Sequence, residues 1–472
     1  MKILLTKNST LVLFATLLFI IAFVWRITYI ESIPANINPD AVNNLQTYLQ
    51  FKHQPQFSLF DLNWNGAPAF NTYVIGFFWE IFNQSIFGLR FAPALFSSLA
   101  VGSTFLLLYL LTRNYTISFI ASLALSSNPL FLNFSRDGWE NVFNSLFLNF
   151  LLLGIILYFY KRREKIGLAL IIIGSTLGFY GYHPGKFLIV IALVVFSIHL
   201  LVFRNWKRDF LSLLIILSLF SILALPQIVN TLQHPEKAFG RLKVVSIFSQ
   251  DNPYIEFKKN IASNLKGLLL FDINTFIGTP YNTRYLPLNK SPINLFFLPF
   301  YIIGLLISLK KYPYLIIAFS ISVFPQQLFS TWTPDAARLV HTIPLFYAFI
   351  GIGIFLTYKI AQKLLRSRLK LTTAFLLAIS IAVIAVTVID AKNYLCWIQN
   401  PQTLSFRNPA VDNNLYFLWK QSVKANISNG GSGINRQEWE NMLLTQNIVS
   451  QNYGVLGANT AKNTVFFSCN YQ

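Results

Sequence analysis

Two short stretches of the chain place carboxylates beside apolar sequence. One reads Asn38-Pro39-Asp40-Ala41, the other Ser135-Arg136-Asp137-Gly138-Trp139-Glu140-Asn141. A carboxylate facing water just above a lipid surface can take the proton of a hydroxyl acceptor or hold a divalent cation. Asp40, Asp137 and Glu140 are therefore the candidate catalytic acids, and Asp40 and Asp137 the candidate ligands should Mg or Mn take part. Each position also has a plainer reading. Asp40 after proline fits a helix N-cap, and Asp137 with Glu140 three residues on fits a capping box.

Cations stand in the other inter-helical segments. They are Lys186 in Tyr182-His183-Pro184-Gly185-Lys186, Arg241 and Lys243, Arg284, and Arg338 in Pro334-Asp335-Ala336-Ala337-Arg338. Arg and Lys at headgroup level can neutralise a phosphate, Arg in a bidentate way. A single one is equally well read as a side chain snorkelling to the interface. Lys186, Arg241, Arg284 and Arg338 together, beside two acidic positions, describe a site for a phosphate. His183 and Asn141 are the candidates to orient an acceptor or the loops.

The elements that must position these groups follow from composition. Of 472 residues, 54% are hydrophobic and only 11% charged, with a mean hydropathy of +0.52. A disordered chain needs low hydrophobicity, and a soluble domain carries about a quarter charged residues. The chain is thus a membrane protein. Apolar runs of about 20 residues fall at 11–29, 91–112, 117–134, 142–160, 166–181, 187–203, 210–228, 293–309, 314–330, 342–358 and 371–389. The expectation is an all-α polytopic fold of about 11–13 transmembrane helices. No small-residue cleavage site follows the first run, so it reads as an uncleaved anchor.

A further segment, 72–87, is short and contains Glu80. If it lies along the interface without crossing, Lys2, Lys7, Arg113, Lys161–Lys165, Arg204–Arg208, Lys310–Lys311 and Lys359–Lys370 all share one side. That is the cytoplasmic side by the positive-inside rule. A juxtamembrane helix is therefore expected there, in an outer loop spanning 30–90. A second outer loop spans 229–292, and an outer tail of α/β or irregular structure spans 390–472, beyond a transmembrane domain of 1–389. The cytoplasmic segments hold 17 of the 37 basic residues against Glu164 and Asp209. The formal charge of +20 is thus mostly a topology signal, and nucleic acid is excluded as a partner. The spans carry no ionisable group near a midplane, which argues against a pump or a secondary transporter.

The order of these motifs resembles the GT-C membrane glycosyltransferases, in particular the protein O-mannosyltransferases and the lipid A aminoarabinose transferases. The resemblance rests on an early Asp in the first outer loop, Gly66-Ala67-Pro68-Ala69-Phe70, and Gly88-Leu89-Arg90-Phe91-Ala92-Pro93-Ala94-Leu95. It continues through Tyr109-Leu110-Leu111-Thr112-Arg113, Ser127-Asn128-Pro129-Leu130 and Arg338 followed by Pro344. Many members carry two adjacent acids where Asp40 stands between Pro39 and Ala41. The resemblance implies an enzyme that takes a sugar from a polyprenyl-phosphate donor and passes it to a protein, lipid or glycan acceptor on the outer face of the plasma (inner) membrane. Asp40 is then the base, and Arg338 with Lys186 stabilises the departing phosphate. A lipid-linked sugar flippase or ligase, or a non-catalytic assembly protein, would share the spans. Release of lipid phosphate separates these readings. In the tail, a helix-like stretch is expected at 412–427 and a β-like one at 464–467, and Cys396 and Cys469 could pair.

Overall fold

The computed structural model describes residues 2–34, 37, 39–53, 60–203, 206–277, 282–287, 290–365 and 369–399. The expected tail elements at 412–427 and 464–467, and Cys469 as partner of Cys396, lie outside the described residues. Among those residues the chain forms helices and turns with no strand longer than an isolated bridge. The first half contains α1 (Lys2–Ile27), α2 (Pro39–His53), α3 (Phe70–Ile81), α4 (Ile86–Thr112), α5 (Tyr115–Ser126), α6 (Pro129–Arg136), α7 (Phe143–Ile155), α8 (Glu164–Phe179) and α9 (Phe187–Phe203). The second contains α10 (Trp206–Gln233), α11 (Pro235–Val245), α12 (Pro253–Asn264), α13 (Ile273–Ile277), α14 (Leu298–Lys311), α15 (Pro313–Leu328), α16 (Ala336–Leu339), α17 (Ile343–Leu364) and α18 (Leu369–Gln399).

All eleven apolar runs fall on helix, but they do not make eleven separate full-length spans. By length and composition, seven of the described helical stretches can cross a membrane: Ser9–Ile27, Ile86–Thr112, Glu140–Tyr160, His183–Val202, Trp206–Gln233, Ala336–Leu364 and Lys370–Gln399. Two bent pairs, α5 with α6 at 57° and α14 with α15 at 117°, bring the number to nine when each pair is one span. Helix α8, with 16 residues, falls short of full length. The break between α5 and α6 is written in Asn128-Pro129. Asn128 caps the new helix by accepting from the Phe131 amide at 3.0 Å, and Pro129 takes the first-turn position where no amide is needed.

Helix α3 carries most of the ambiguous segment. Its 12 residues rise about 18 Å at 1.5 Å each, against a hydrocarbon core of about 30 Å. It lies against α2 and α4. Ser85 starts α4 afresh by accepting from the Gly88 amide.

The bundle centre is α4, α7 and α17; the best apolar windows of α7 and α17 are 83% and 89% buried. Where α14 meets α17 the backbones touch. A Cβ on Gly304 would overlap the Phe349 carbonyl, and one on Gly353 the Phe300 carbonyl. Without a hydrophobic force between helices in lipid, small residues that permit this approach hold the pair together. Gly353→Val is expected to leave no monodisperse protein on size-exclusion chromatography in detergent; a wild-type elution profile would refute the close crossing.

The two ends of the bundle differ in charge. At one, Lys161 comes within electrostatic reach of Arg113 and Lys311, and Tyr312 donates to the Leu111 carbonyl. Nearby, Tyr158 donates to Asp209, which also pairs with Arg208 and His199. The other end holds Asp40, Asp137 and Glu140.

Candidate active site

The first loop is held from inside the protein by three buried arginines. Arg136, at the end of α6, donates to four carbonyls: Trp25 at 2.6 Å, Arg26 at 3.0 Å, Thr28 at 2.8 Å and Ile33 at 2.9 Å. Arg26 donates to Ser97 and to the carbonyls of Ala22 and Ser126. Arg90 donates to the carbonyls of Ile30 and Pro34. The last turn of a helix leaves its carbonyls without amide partners. Here guanidinium groups supply the donors, so the chain leaving α1 is held as far as Pro34. Arg26 and Arg136 stand in the last turns of α1 and α6 and turn inward instead of snorkelling.

Asp40 sits in the first turn of α2, and Asn43, Asn44 and Gln46 follow it along the same cavity. Farther along the loop, Asn63 Oδ1 accepts from the amides of Asn65 and Ala67, and Trp64 Nε1 donates to Asn44 Oδ1 at 3.0 Å. Gly66 has φ +74°, and a side chain there would strike the Lys237 carbonyl. His183 Nε2 donates to the Asn65 carbonyl at 3.1 Å, and Lys237 pairs with Asp61 at 3.3 Å. The first loop, the α8–α9 turn and α11 thus lock into one wall.

The opposite wall is the segment before α17. Gln327 and Asp335 form a reciprocal pair, Gln327 Nε2 donating to the Asp335 carbonyl and the Asp335 amide to Gln327 Oε1. Asn282 Nδ2 donates to the Pro334 carbonyl, and its Oδ1 accepts from the Ala336 amide. Asp335 caps α16 and stands 3.3 Å from Arg338 Nε, while Arg338 Nη1 donates to the Thr331 carbonyl. The guanidinium is held in place, with other donors left to face a ligand.

Between the walls lies a cavity of about 1300 Å³. Asp40, Glu140, Asn141, His183, Lys186, Arg241, Arg284 and Arg338 all line it. Eight of the nine residues singled out from sequence therefore converge, from six separate segments. Their charge pattern suits an anionic ligand beside a base.

Asp137 is the exception. It is fully buried, 3.9 Å from Arg90, and is not among the cavity-lining residues. Gly138 at φ +79° turns the chain between the two acids, so that Glu140 faces the cavity and Asp137 faces Arg90. No side-chain capping bond precedes Glu140, so the capping box does not form. Nor do Asp40 and Asp137 fit the role of a shared metal pair, since a guanidinium already stands beside Asp137. Among the described residues no three His, Cys, Asp or Glu side chains converge as a metal site would require.

The sequence reading passed over the cavity's tyrosines and amides. Burial pushes the Tyr182 phenol up to about 12, with Arg338 pulling the other way, and burial raises Tyr285 well above the usual range. Both stay protonated donors. Tyr182 stands one residue before His183, but a tyrosine among 21 gives no signal from sequence.

Residues 67–229 match the family described as dolichyl-phosphate-mannose-protein mannosyltransferase. Among solved structures the chain is similar to ArnT from Cupriavidus metallidurans bound to undecaprenyl phosphate, with a TM-score of 0.50 and 13% identity over 97% of this chain and 78% of that one. The apo state of the same protein gives a TM-score of 0.52 and 12% identity over 96% and 78%. At such identity the likeness is one of fold. No curated protein matches by sequence.

Proposed function

We propose that the chain transfers a sugar from a polyprenyl-phosphate donor to an acceptor hydroxyl on the extracytoplasmic face of the plasma (inner) membrane. The observation that carries this is the meeting of Asp40 with Lys186, Arg241, Arg284 and Arg338 in one cavity. The solved relative bound to undecaprenyl phosphate supports a lipid phosphate as ligand. The N-terminus and the basic loops would face the cytoplasm, as the positive-inside rule directs, and the C-terminus the other side.

The acceptor oxygen attacks the anomeric carbon and the bond from that carbon to the phosphate oxygen breaks. The acceptor proton passes to Asp40, and polyprenyl phosphate leaves with the electron pair. A phosphate leaves without a general acid, so the cations need only stabilise the charge that develops on it. Arg338, held by Asp335 and the Thr331 carbonyl, is the most pre-organised of them. Asp137, paired with Arg90, which anchors the loop before Asp40, is a positioning residue.

The test supplies purified full-length protein with labelled polyprenyl-phosphate sugars and a mixture of membrane acceptors. Release of polyprenyl phosphate in step with sugar transfer is expected, and the rate should persist in excess EDTA because the donor set does not fit a protein-ligated cation. Absence of release with every donor would sink the transferase reading, and loss of activity in EDTA with recovery on adding Mg or Mn would sink the metal-free step.

A further inference from the structure

Two adjacent residues in the cavity carry buried polar atoms that the protein leaves without partners. Trp139 is 4% exposed, and its Nε1 makes no hydrogen bond. Glu140 is also 4% exposed; its Oε1 accepts from Asn63 Nδ2 at 3.4 Å, Asn44 also acts on the carboxyl group, and its Oε2 makes no hydrogen bond of regular geometry. Both residues line the cavity. Buried polar groups are paired in at least about nine cases in ten, and an orphan in a low-dielectric site is costly. A donor and an acceptor orphaned side by side define the chemistry of what completes them.

The missing group must donate to a carboxylate and accept from an indole N–H. A phosphate only accepts, and Glu140 would repel it. A metal or ammonium cation cannot accept, and the indole offers only a donor. A hydroxyl does both, and two neighbouring hydroxyls on one ring can use both atoms at once. Aromatic faces complete the pattern: Trp139 lies 4.1 Å from the Phe134 ring and 5.0 Å from the Tyr285 ring, and both also line the cavity. Such faces receive the C–H side of a pyranose. Glu140 and Asp40 both lie within electrostatic reach of the Tyr182 phenol, as does Arg338.

We infer that Trp139 and Glu140 form a subsite for the hydroxyls of a sugar ring. The inference rests on the transferase reading above, and the ring can come from the donor or from a glycan acceptor. Glu140 is then a binding residue, and Asp40 acts alone as base.

The experiment measures dissociation constants of the full chain in detergent for polyprenyl phosphate carrying glucose, mannose, galactose or no sugar. Inhibition of transfer by the corresponding methyl glycosides is measured alongside. Trp139→Phe removes the N–H and keeps a ring. It is expected to weaken the preferred sugar-bearing lipid about tenfold, the size of one hydrogen bond to a polar ligand, with affinity for bare polyprenyl phosphate unchanged. Glu140→Gln should repeat the loss for the sugar-bearing lipid. If the lipid series is unchanged but methyl glycosides inhibit Trp139→Phe about tenfold less well, the subsite serves the acceptor's sugar. Wild-type behaviour of both variants in both series overturns the inference while leaving the transferase reading intact. Failure of the wild type to bind any polyprenyl phosphate would instead overturn that reading. Unaltered binding of bare lipid serves as the check that each Trp139→Phe preparation is folded.

Discussion

Asp40→Asn is expected to lower the single-turnover rate of sugar transfer by about 10²- to 10⁴-fold, the usual contribution of a general base, with donor affinity unchanged. The substitution keeps the shape of the side chain and its place in the first turn of α2, so the cavity keeps its walls. What is lost is the proton acceptor, and with it the nucleophilicity of the acceptor oxygen. Glu140 is a poor substitute because its Oε1 accepts from Asn63 and, in the subsite proposed above, its Oε2 is taken by a sugar hydroxyl. Rapid-quench measurement with saturating donor isolates the chemical step from product release. Full activity in the variant would remove Asp40 from the mechanism.

Arg136→Met is expected to destabilise the protein by about 3–5 kcal/mol, the range found when one partner of a buried charged network is removed. The side chain lines no part of the cavity, yet its two terminal nitrogens satisfy the carbonyls of Trp25, Arg26, Thr28 and Ile33. Met fills the volume and donates nothing, so these groups stay buried and unpaired. Transfer activity should fall with the melting temperature, because the displaced segment leads into Asp40. A thermal unfolding curve in detergent that matches the wild type would show that the carbonyls find other partners.

Much of this arrangement can be read from the residues. The apolar runs gave the helices, and the side-preference of Lys and Arg led to the expectation that the segment around Glu80 does not cross; its helix α3 has 12 residues, short for a span. Convergence of Arg241 and Arg284 on the same cavity as Asp40 also followed from placing them all on one side of the membrane. Three things were not legible. Spacing could not separate Asp137 from Glu140, since a positive φ at Gly138 reverses the direction of the chain between them. Length alone could not count spans, because α5–α6 and α14–α15 are broken within or between apolar runs and α8 is short. And Asn44, Asn63 and Trp64 are ordinary loop residues until Asn63 reaches Glu140 and Trp64 reaches Asn44, contacts made across 77 and 20 positions of sequence.

The anchoring of the segment after α1 sets it apart from the exposed edge of the cavity. Guanidinium groups grip that segment from the interior at seven carbonyls between Ala22 and Pro34. The stretch around the end of α11 is different in kind. Leu242, Val244 and Phe248 line the cavity while 51%, 60% and 70% exposed, and backbone bonds tie this stretch to Phe329 and Thr331. In the proposed transfer, a long isoprenoid chain would enter over these exposed apolar side chains, on the same wall that α11 shares with the first loop. A sequence change that speeds the passage of the lipid would then be sought at Leu242, Val244 and Phe248, far along the chain from the proposed base.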